Sequence, residues 1–305
     1  MKVFVTGGTG FVGRAVVKAM LKRNYEVALL ARNSKSLDSM GALSDAVSSV
    51  YGTIYDAEVL RKAMRGCDAV VHLVGIIREI RENTFERAHY EGAVNVMESA
   101  RASGIQRFIH MSAEGTRAAA QSRYHQTKFK AEEYLKASGL HYTIMRPAVM
   151  FGAGDKNFTV LADMIKKAPL VPVIGDGTYV WQPVAVKDVA ELFVLSLGNN
   201  GSEGKTYEVR GTEAFTFNHI LDLLMKLLGV HKPKVHIPAG FVRPVIAAFD
   251  GLMPLPITKD QLIMLLDRYE QPESNFQEDF HIRLATLEEG LREYIGTNRT
   301  ITESG

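Results

Sequence analysis

The stretch VFVTGGTGFVGRAVV, residues 3–17, places four glycines between a β-branched run and an apolar, helix-like run. Glycine weakens the interior of a helix or strand, so a cluster of them at a strand-to-helix junction calls for a specific backbone path. Two overlapping patterns are present, G-x-x-G-x-x-G through Gly7, Gly10 and Gly13, and G-x-G-x-x-G through Gly8, Gly10 and Gly13. The first glycines permit a tight turn, Gly10 lets the backbone approach a pyrophosphate, and Gly13 lets the following helix pack on the strand. The helix N-terminus then faces the anion, which assigns Gly7, Gly10, Phe11, Val12 and Gly13 to a dinucleotide cradle.

The rest of the first half supplies the setting such a loop requires. KVFVT (2–6), EVALLA (26–31), AVVHLV (69–74), RFIHMS (107–112) and HYTIMRP (141–147) read as short buried strands. Amphipathic stretches such as GRAVVKAMLKRN and EGAVNVMESARASG separate them. A βαβ series of this kind predicts an α/β fold: a doubly wound parallel-sheet Rossmann domain, with a ligand crevice at the carboxyl ends of its strands. After about residue 152 the rhythm changes to a helix (NFTVLADMIKKAP), a strand (VWQPVAV) and a strongly amphipathic helix (VKDVAELFVLSL). KTYEVRG, NHILDLLMKLLG, a Pro- and Gly-punctuated apolar tract and TLEEGLREYI follow. The expected division is a Rossmann domain of residues 1–152 plus about 178–206, and a smaller C-terminal α/β lobe of about 153–177 plus 207–305.

The end of the second strand selects the dinucleotide. An acidic residue there would hold the ribose 2′-hydroxyl of NAD(H), whereas this chain has LLARNSKS, with Arg32 at the terminus and Lys35 beyond. A guanidinium pairs with a 2′-phosphate and stacks on adenine, so NADP(H) is favoured and NAD(H) stays open. Asp56, in YGTIYDAEVL, is placed either at the adenine end or as the N-cap of the helix AEVLRKAM.

Composition removes other classes. Lys and Arg number 36 against 34 Asp and Glu, and they are scattered, so no nucleic-acid footprint is present. One cysteine, Cys67, allows neither an internal disulfide nor a cysteine-based zinc site, and the nine histidines lack metal-ligand spacing, so no metal is expected. MKVFVTGG carries no secretory leader, and no apolar run reaches the roughly 20 residues of a spanning helix. The expected compartment is the cytoplasm, with contact at a membrane periphery left open.

SRYHQTKFKAEEYL sets Tyr124 and Lys128 four residues apart, on one face of a helix. A neighbouring ammonium favours the phenolate, which suits acid–base work beside a nicotinamide. Together with TGGTGFVG, HLVG (72–75), MSAEG (111–115) and RPAVMFGAGD (146–155), this pair makes nearly the whole chain resemble the short-chain dehydrogenase/reductase superfamily, in its extended and atypical, epimerase/dehydratase-like branches. The resemblance implies that Tyr124 is the acid/base and that Lys128 binds the nicotinamide ribose. It also implies cofactor contacts at Leu73, Val74, Gly75 and Pro147. A serine or threonine normally completes the triad, and Ser112 is the candidate for that role; the aligned position itself falls on Ala113, and Ser112 lies one residue early, where strand alternation turns its hydroxyl the other way unless a bulge restores it.

A narrower resemblance, carried by SAEG…SRYHQTKFKAEEYLKASGLHYTIMRPAVMFGAGD and QPVAVKDVAELFVLSL, is to the atypical branch containing the 39 kDa accessory subunit of respiratory complex I. That branch implies a tightly held NADPH without established turnover. Three functions therefore stand together: an NADP(H)-dependent oxidoreductase or epimerase/dehydratase-like enzyme, a nucleotide-loaded scaffold or assembly factor with a protein partner, and a redox sensor. An enzyme would take a small-molecule substrate, with a quinone- or lipid-like ligand one option. Arg146 either lines the cleft or pairs with a buried carboxylate, Asn95 braces the sheet, and Gln182 and FGAGDKN are cleft-rim candidates. The tract from Val235 to Thr258 is either lobe core or an exposed patch that meets a partner, a lipid or a quinone tail.

Overall fold

The computed structural model describes residues 1–249, 257–267, 269 and 276–295. The first half runs β1 (Lys2–Thr6), α1 (Phe11–Lys22), β2 (Glu26–Ala31), α2 (Ser34–Asp38), β3 (Ser48–Tyr51), α3 (Ala57–Ala63) and β4 (Ala69–His72). A π-helical turn (Glu86–Glu91) then leads into α4 (Gly92–Ala102), followed by β5 (Arg107–Met111), α5 (Arg123–Ala137) and β6 (His141–Pro147). Next come β7 (Met150–Phe151), α6 (Phe158–Lys167), β8 (Val171–Ile174), β9 (Val180–Trp181), β10 (Val184–Ala185), α7 (Val186–Gly198) and β11 (Lys205–Val209). The last elements are β12 (Phe215–Thr216), α8 (Phe217–Leu228), β13 (Lys234–Ile237), α9 (Ala239–Phe249), α10 (Lys259–Leu266), α11 (Phe276–Asp279) and α12 (Leu287–Tyr294). They form two compact units.

The first unit, Met1–Pro147 with Val186–Val209 and Gln271–Ile282, holds a seven-stranded parallel sheet of order β11-β6-β5-β4-β1-β2-β3. Strand alternation divides its core. Phe4, Ala28, Val70 and Phe108 project to one face and pack with Leu60 of α3, Val96 and Met97 of α4, and Ala131 and Leu135 of α5. The intervening Val3, Val5, Leu29 and Val71, all buried, serve the opposite face, where α1 and α7 pack together. Because the order reverses between β1 and β4, the loops leaving those strands diverge and open a crevice at their carboxyl ends. The stretch KTYEVRG, which the sequence reading groups with the C-terminal remainder, forms β11 at the edge of this sheet beside β6, with Tyr207 fully buried.

The second unit, Ala148–Ala185 with Arg210–Glu270 and Arg283–Gly305, is built from short paired strands and helices. β8 pairs with β13, β9 with β12 and β7 with β10. Phe151, Phe158, Ile165, Val171, Ile220, Leu224 and Leu291 form its core. VWQPVAV is two strands rather than one, since Pro183 cannot donate to a ladder and divides β9 from β10. Asp155 closes the entry to α6: its Oδ1 accepts from the amides of Asn157 and Phe158 at 2.9 and 2.6 Å, and its Oδ2 accepts from the Tyr294 hydroxyl at 2.6 Å. The apolar tract divides. Val235 and Phe241 are 41% and 72% exposed while Ile246 is buried, and residues 250–256 lie outside the described residues. Among the described residues no helix is long and apolar enough to cross a membrane.

Candidate functional site

At the end of β1 the chain turns sharply on Gly7, whose φ of +75° suits glycine alone. A side chain there would also meet the backbone of Leu73 and Val74 at 2.9 Å, so the glycine loop and the loop after β4 lie backbone against backbone. A β-carbon on Gly13 would lie 2.2 Å from the Gly7 carbonyl oxygen, which makes Gly13 the residue that lets α1 dock. Gly10 is exposed at the α1 N-terminus, with no side chain capping the helix and no acidic residue in its first turn. Phe11 and Val12 open the helix. Their free amides and the positive end of the helix dipole make a cradle that fits a pyrophosphate.

Arg32 emerges exposed directly after β2, on the strand neighbouring β1, so it lies along the same carboxyl edge. Sequence reasoning missed a second guanidinium there. Arg14 donates through Nε to the Thr9 carbonyl at 3.0 Å and to Ser39 Oγ at 2.9 Å, bridging the glycine loop to the segment after α2. Its signal was adjacency to Gly13. Asp56 takes the capping position: Oδ1 accepts from the amides of Glu58 and Val59 at 3.2 and 3.1 Å.

Lys128 is buried, and its ammonium donates to the Met111 carbonyl at the end of β5 at 3.1 Å. The same nitrogen would lie 3.5 Å from a β-carbon on Gly75, and it stands 5.7 Å from the centre of the half-buried Tyr124 ring. Burial pushes the ammonium down to about 8, against the upward pull of Glu132 one turn further along α5. Tyr124, Lys128 and Gly75 thus meet at the ends of β4 and β5. Leu73 is held by its amide on the Thr6 carbonyl at 3.0 Å, and Pro147 accepts from the Glu114 amide at 3.0 Å.

Ser112 is buried and its hydroxyl donates to Thr116 Oγ1 at 3.3 Å, while its amide bonds the Met145 carbonyl. The neighbouring Ala113 carries no hydroxyl, so Thr116 is a second buried hydroxyl that motif alignment does not mark.

Two histidines read from sequence as dispersed, His72 and His110, converge beside Lys128. Thr6, His72 and His110 are register partners on β1, β4 and β5 and share one face of the sheet. Thr6 Oγ1 and His72 Nδ1 lie 2.7 Å apart, and the His72 and His110 rings stack at 5.5 Å and 7°. Among the described residues, His72 Nε2 and both nitrogens of His110 lack a hydrogen-bond partner. Burial, with Lys128 adding to it, pushes His72 down to about 3; burial likewise drives His110 well below its ordinary value. These are neutral imidazoles, and their signal was β-strand register rather than ligand spacing.

Arg146 pairs with buried carboxylates, as one of its two sequence readings has it. It donates through Nε to Glu132 Oε1 at 2.9 Å and through a terminal nitrogen to Glu208 Oε1 at 3.0 Å. Asn95 braces the loop after β3 by donating to the Ile54 carbonyl at 2.7 Å, and Gln182 donates to the Gly211 carbonyl.

Residues 3–209 match the NAD dependent epimerase/dehydratase family. NADH dehydrogenase (ubiquinone) 1 alpha subcomplex subunit 9 from Arabidopsis thaliana mitochondria is 31% identical over 270 residues, spanning 86% of this chain and 67% of that protein. A Stigmatella aurantiaca ketoreductase acting on 4-hydroxy-2-methyl-3-oxo-4-farnesyl-3,4-dihydroquinoline-1-oxide is 29% identical over 259 residues, spanning 78% of this chain and 76% of the enzyme. Among solved structures, UDP-glucose 4-epimerase from Thermotoga maritima superposes with a TM-score of 0.77 at 20% identity, over 98% of this chain and 99% of the epimerase, a likeness of fold. Since the family match runs from the first strand of the seven-stranded sheet to its last, the chain belongs to the NAD dependent epimerase/dehydratase family.

Proposed function

We propose that this chain is an NADP(H)-using oxidoreductase or epimerase/dehydratase-like enzyme in which Tyr124 exchanges a proton with the substrate oxygen. The observation that carries this reading is the buried Lys128 ammonium, one helical turn from Tyr124 and against Gly75 at the crevice. When bound, the nicotinamide supplies or accepts the hydride. In the reducing direction Tyr124 would give its phenolic proton to the carbonyl oxygen of the substrate. Lys128 holds the ribose and, by its charge, eases the phenol toward phenolate. The glycine loop, with Phe11 and Val12, holds the pyrophosphate, while Arg32, aided by Arg14, pairs with the 2′-phosphate. Leu73, Val74 and Pro147 flank the nicotinamide side. The substrate we favour is a carbonyl on a quinone- or lipid-like molecule, by analogy with the farnesylated substrate of the Stigmatella relative, met in the cytoplasm or at a membrane periphery.

Tyr124→Phe should lower turnover by about 10²–10⁴-fold and leave NADPH affinity nearly unchanged, measured as NADPH consumption with a quinone and metabolite extract. Activity that survives the change removes the mechanism. For the cofactor, Arg32→Glu should weaken NADPH by about 10–100-fold, the worth of a charge-assisted hydrogen bond, with a smaller effect on NADH. Equal losses for the two nucleotides in a calorimetric titration would take Arg32 out of the 2′-phosphate site.

A second reading is favoured by one observation, the missing hydroxyl at Ala113 with the Ser112 hydroxyl bonded to Thr116. Under it the chain is a nucleotide-loaded scaffold or assembly factor, or a redox sensor, of the complex I accessory-subunit kind. Depleting the nucleotide would then lower the melting temperature and release the protein partner, and a sensor must further bind the oxidised and reduced forms unequally.

A further inference from the structure

His89 lies in the π-helical turn that precedes α4 and is buried. π-Turns are uncommon and concentrate at functional positions, because the extra residue re-aims a side chain that an α-helix would place elsewhere. Here the imidazole is aimed between two segments of the site. Its Nε2 lies 3.0 Å from both the amide nitrogen and the carbonyl oxygen of Ile76, directly after Gly75. Its Nδ1 lies 3.0 Å from Thr127 Oγ1 on α5. The Tyr124 ring stands edge-on to it at 5.0 Å and 87°, and Phe85 stacks on it at 5.4 Å.

The hydrogen bonds select the tautomer. Thr127 Oγ1 donates back along the helix to the carbonyls of Arg123 and Tyr124, both at 3.0 Å, so its lone pairs face the ring. The Ile76 N–H points at Nε2, which must therefore accept. A proton on Nε2 would reach the Ile76 carbonyl but set two N–H donors against each other and leave Nδ1 facing the lone pairs of Thr127; a proton on Nδ1 pairs the Ile76 amide and the Thr127 oxygen through the ring. Burial, with Lys128 adding to it, keeps the ring neutral.

We propose that His89 is a positioning residue: a neutral, Nδ1-protonated imidazole that fixes the Gly75–Ile76 loop to the Tyr124–Lys128 turn of α5. It thereby sets the separation between the nicotinamide-side loop and the proton-transferring phenol. The proposal rests on the assignment of Tyr124 and Lys128 as the acid/base pair, and its test is made on the free chain so that the two can fail separately.

The first measurement is the 15N shift of His89 in the full-length protein. The expected result is the Nδ1–H tautomer, unchanged through the ordinary histidine range; an Nε2–H tautomer or titration near pH 6.5 overturns the proposal. The second compares His89→Phe, which keeps the ring packing, with His89→Gln, which keeps an acceptor for the Ile76 amide. His89→Phe should speed Ile76 amide exchange by about tenfold and weaken NADPH by about 3–10-fold, the worth of one hydrogen bond. His89→Gln should recover both in large part. If both variants bind NADPH as the parent does, or lose it equally, His89 only fills space. Should His89→Phe not fold, the tautomer of the parent and the behaviour of His89→Gln still decide. Loss of turnover in Tyr124→Phe, or its persistence, tests the acid/base assignment without touching these readouts.

Discussion

Lowering the pH from 7 to 5 should remove about 4 kcal/mol of folding stability, a steep loss for so mild an acidification. The cause is the group of buried imidazoles at the ends of β4 and β5 and in the π-turn. His72 is pushed down to about 3, and His89 and His110 are also driven far below the ordinary histidine value, in each case chiefly by burial. The sign follows from proton counting. Between the folded and unfolded values the unfolded chain binds more protons, so stability falls as pH falls through about 6.5. His72 and His89 each contribute about 2 kcal/mol of that loss at pH 5, on the order of 4 together, with His110 acting in the same direction, and this is a large share of the stability of many domains. Carboxylates held low by partners, such as Glu191 hydrogen-bonded to Arg23, lose their contribution only below the carboxylate range, so they do not mimic this window. Chemical denaturation at pH 7, 6 and 5 measures the slope. His110→Leu, which removes two ring nitrogens that have no partner among the described residues, should reduce the loss and leave the pH 7 stability equal or higher. A flat profile in the parent would mean that these imidazoles protonate within the fold.

The strands of the first unit other than β3 were readable because each is a short buried run closed by a turn residue, and parallel strands buried on both faces leave that trace. The glycine loop was readable for a different reason: steric exclusion at Gly7 and Gly13 leaves only one residue type, so the backbone path is written in the sequence. What sequence did not expose depends on register between distant strands. His72 and His110 look unrelated at 38 residues apart, yet the β4–β5 pairing sets them side by side. β3, with half-exposed residues and no strong alternation, gave too weak a pattern to be identified. Arg146 left two readings open because a strand-end arginine next to a cleft and one under a helix have the same local sequence. Only the meeting of α5, β6 and β11 selects the carboxylates.

That meeting carries the second large effect. Glu132→Gln should cost about 3–5 kcal/mol, because it breaks a buried pair while keeping the shape of the side chain. Glu132 is fully buried and holds the Arg146 guanidinium through both oxygens, and Glu208 takes the remaining terminal nitrogen. Burial pulls the Arg146 guanidinium down, and the two carboxylates more than offset this, leaving it above its ordinary value. Removing one carboxylate leaves an incompletely compensated cation in the interior. It also removes the Glu132 charge that raises Lys128, so the ammonium should fall further below about 8 and lose part of its charge near neutrality. Stability and function then separate in the data. The melting temperature should drop by on the order of 10 °C. The alkaline limb of NADPH binding or turnover should shift to lower pH, which a purely structural pair would not cause. Replacing both partners, Glu132→Leu with Arg146→Met, should cost less than the sum of the single changes, since no charge is left unpaired. Additive costs would show that the two side chains are not coupled, and an unmoved alkaline limb would show that Lys128 takes its charge from elsewhere.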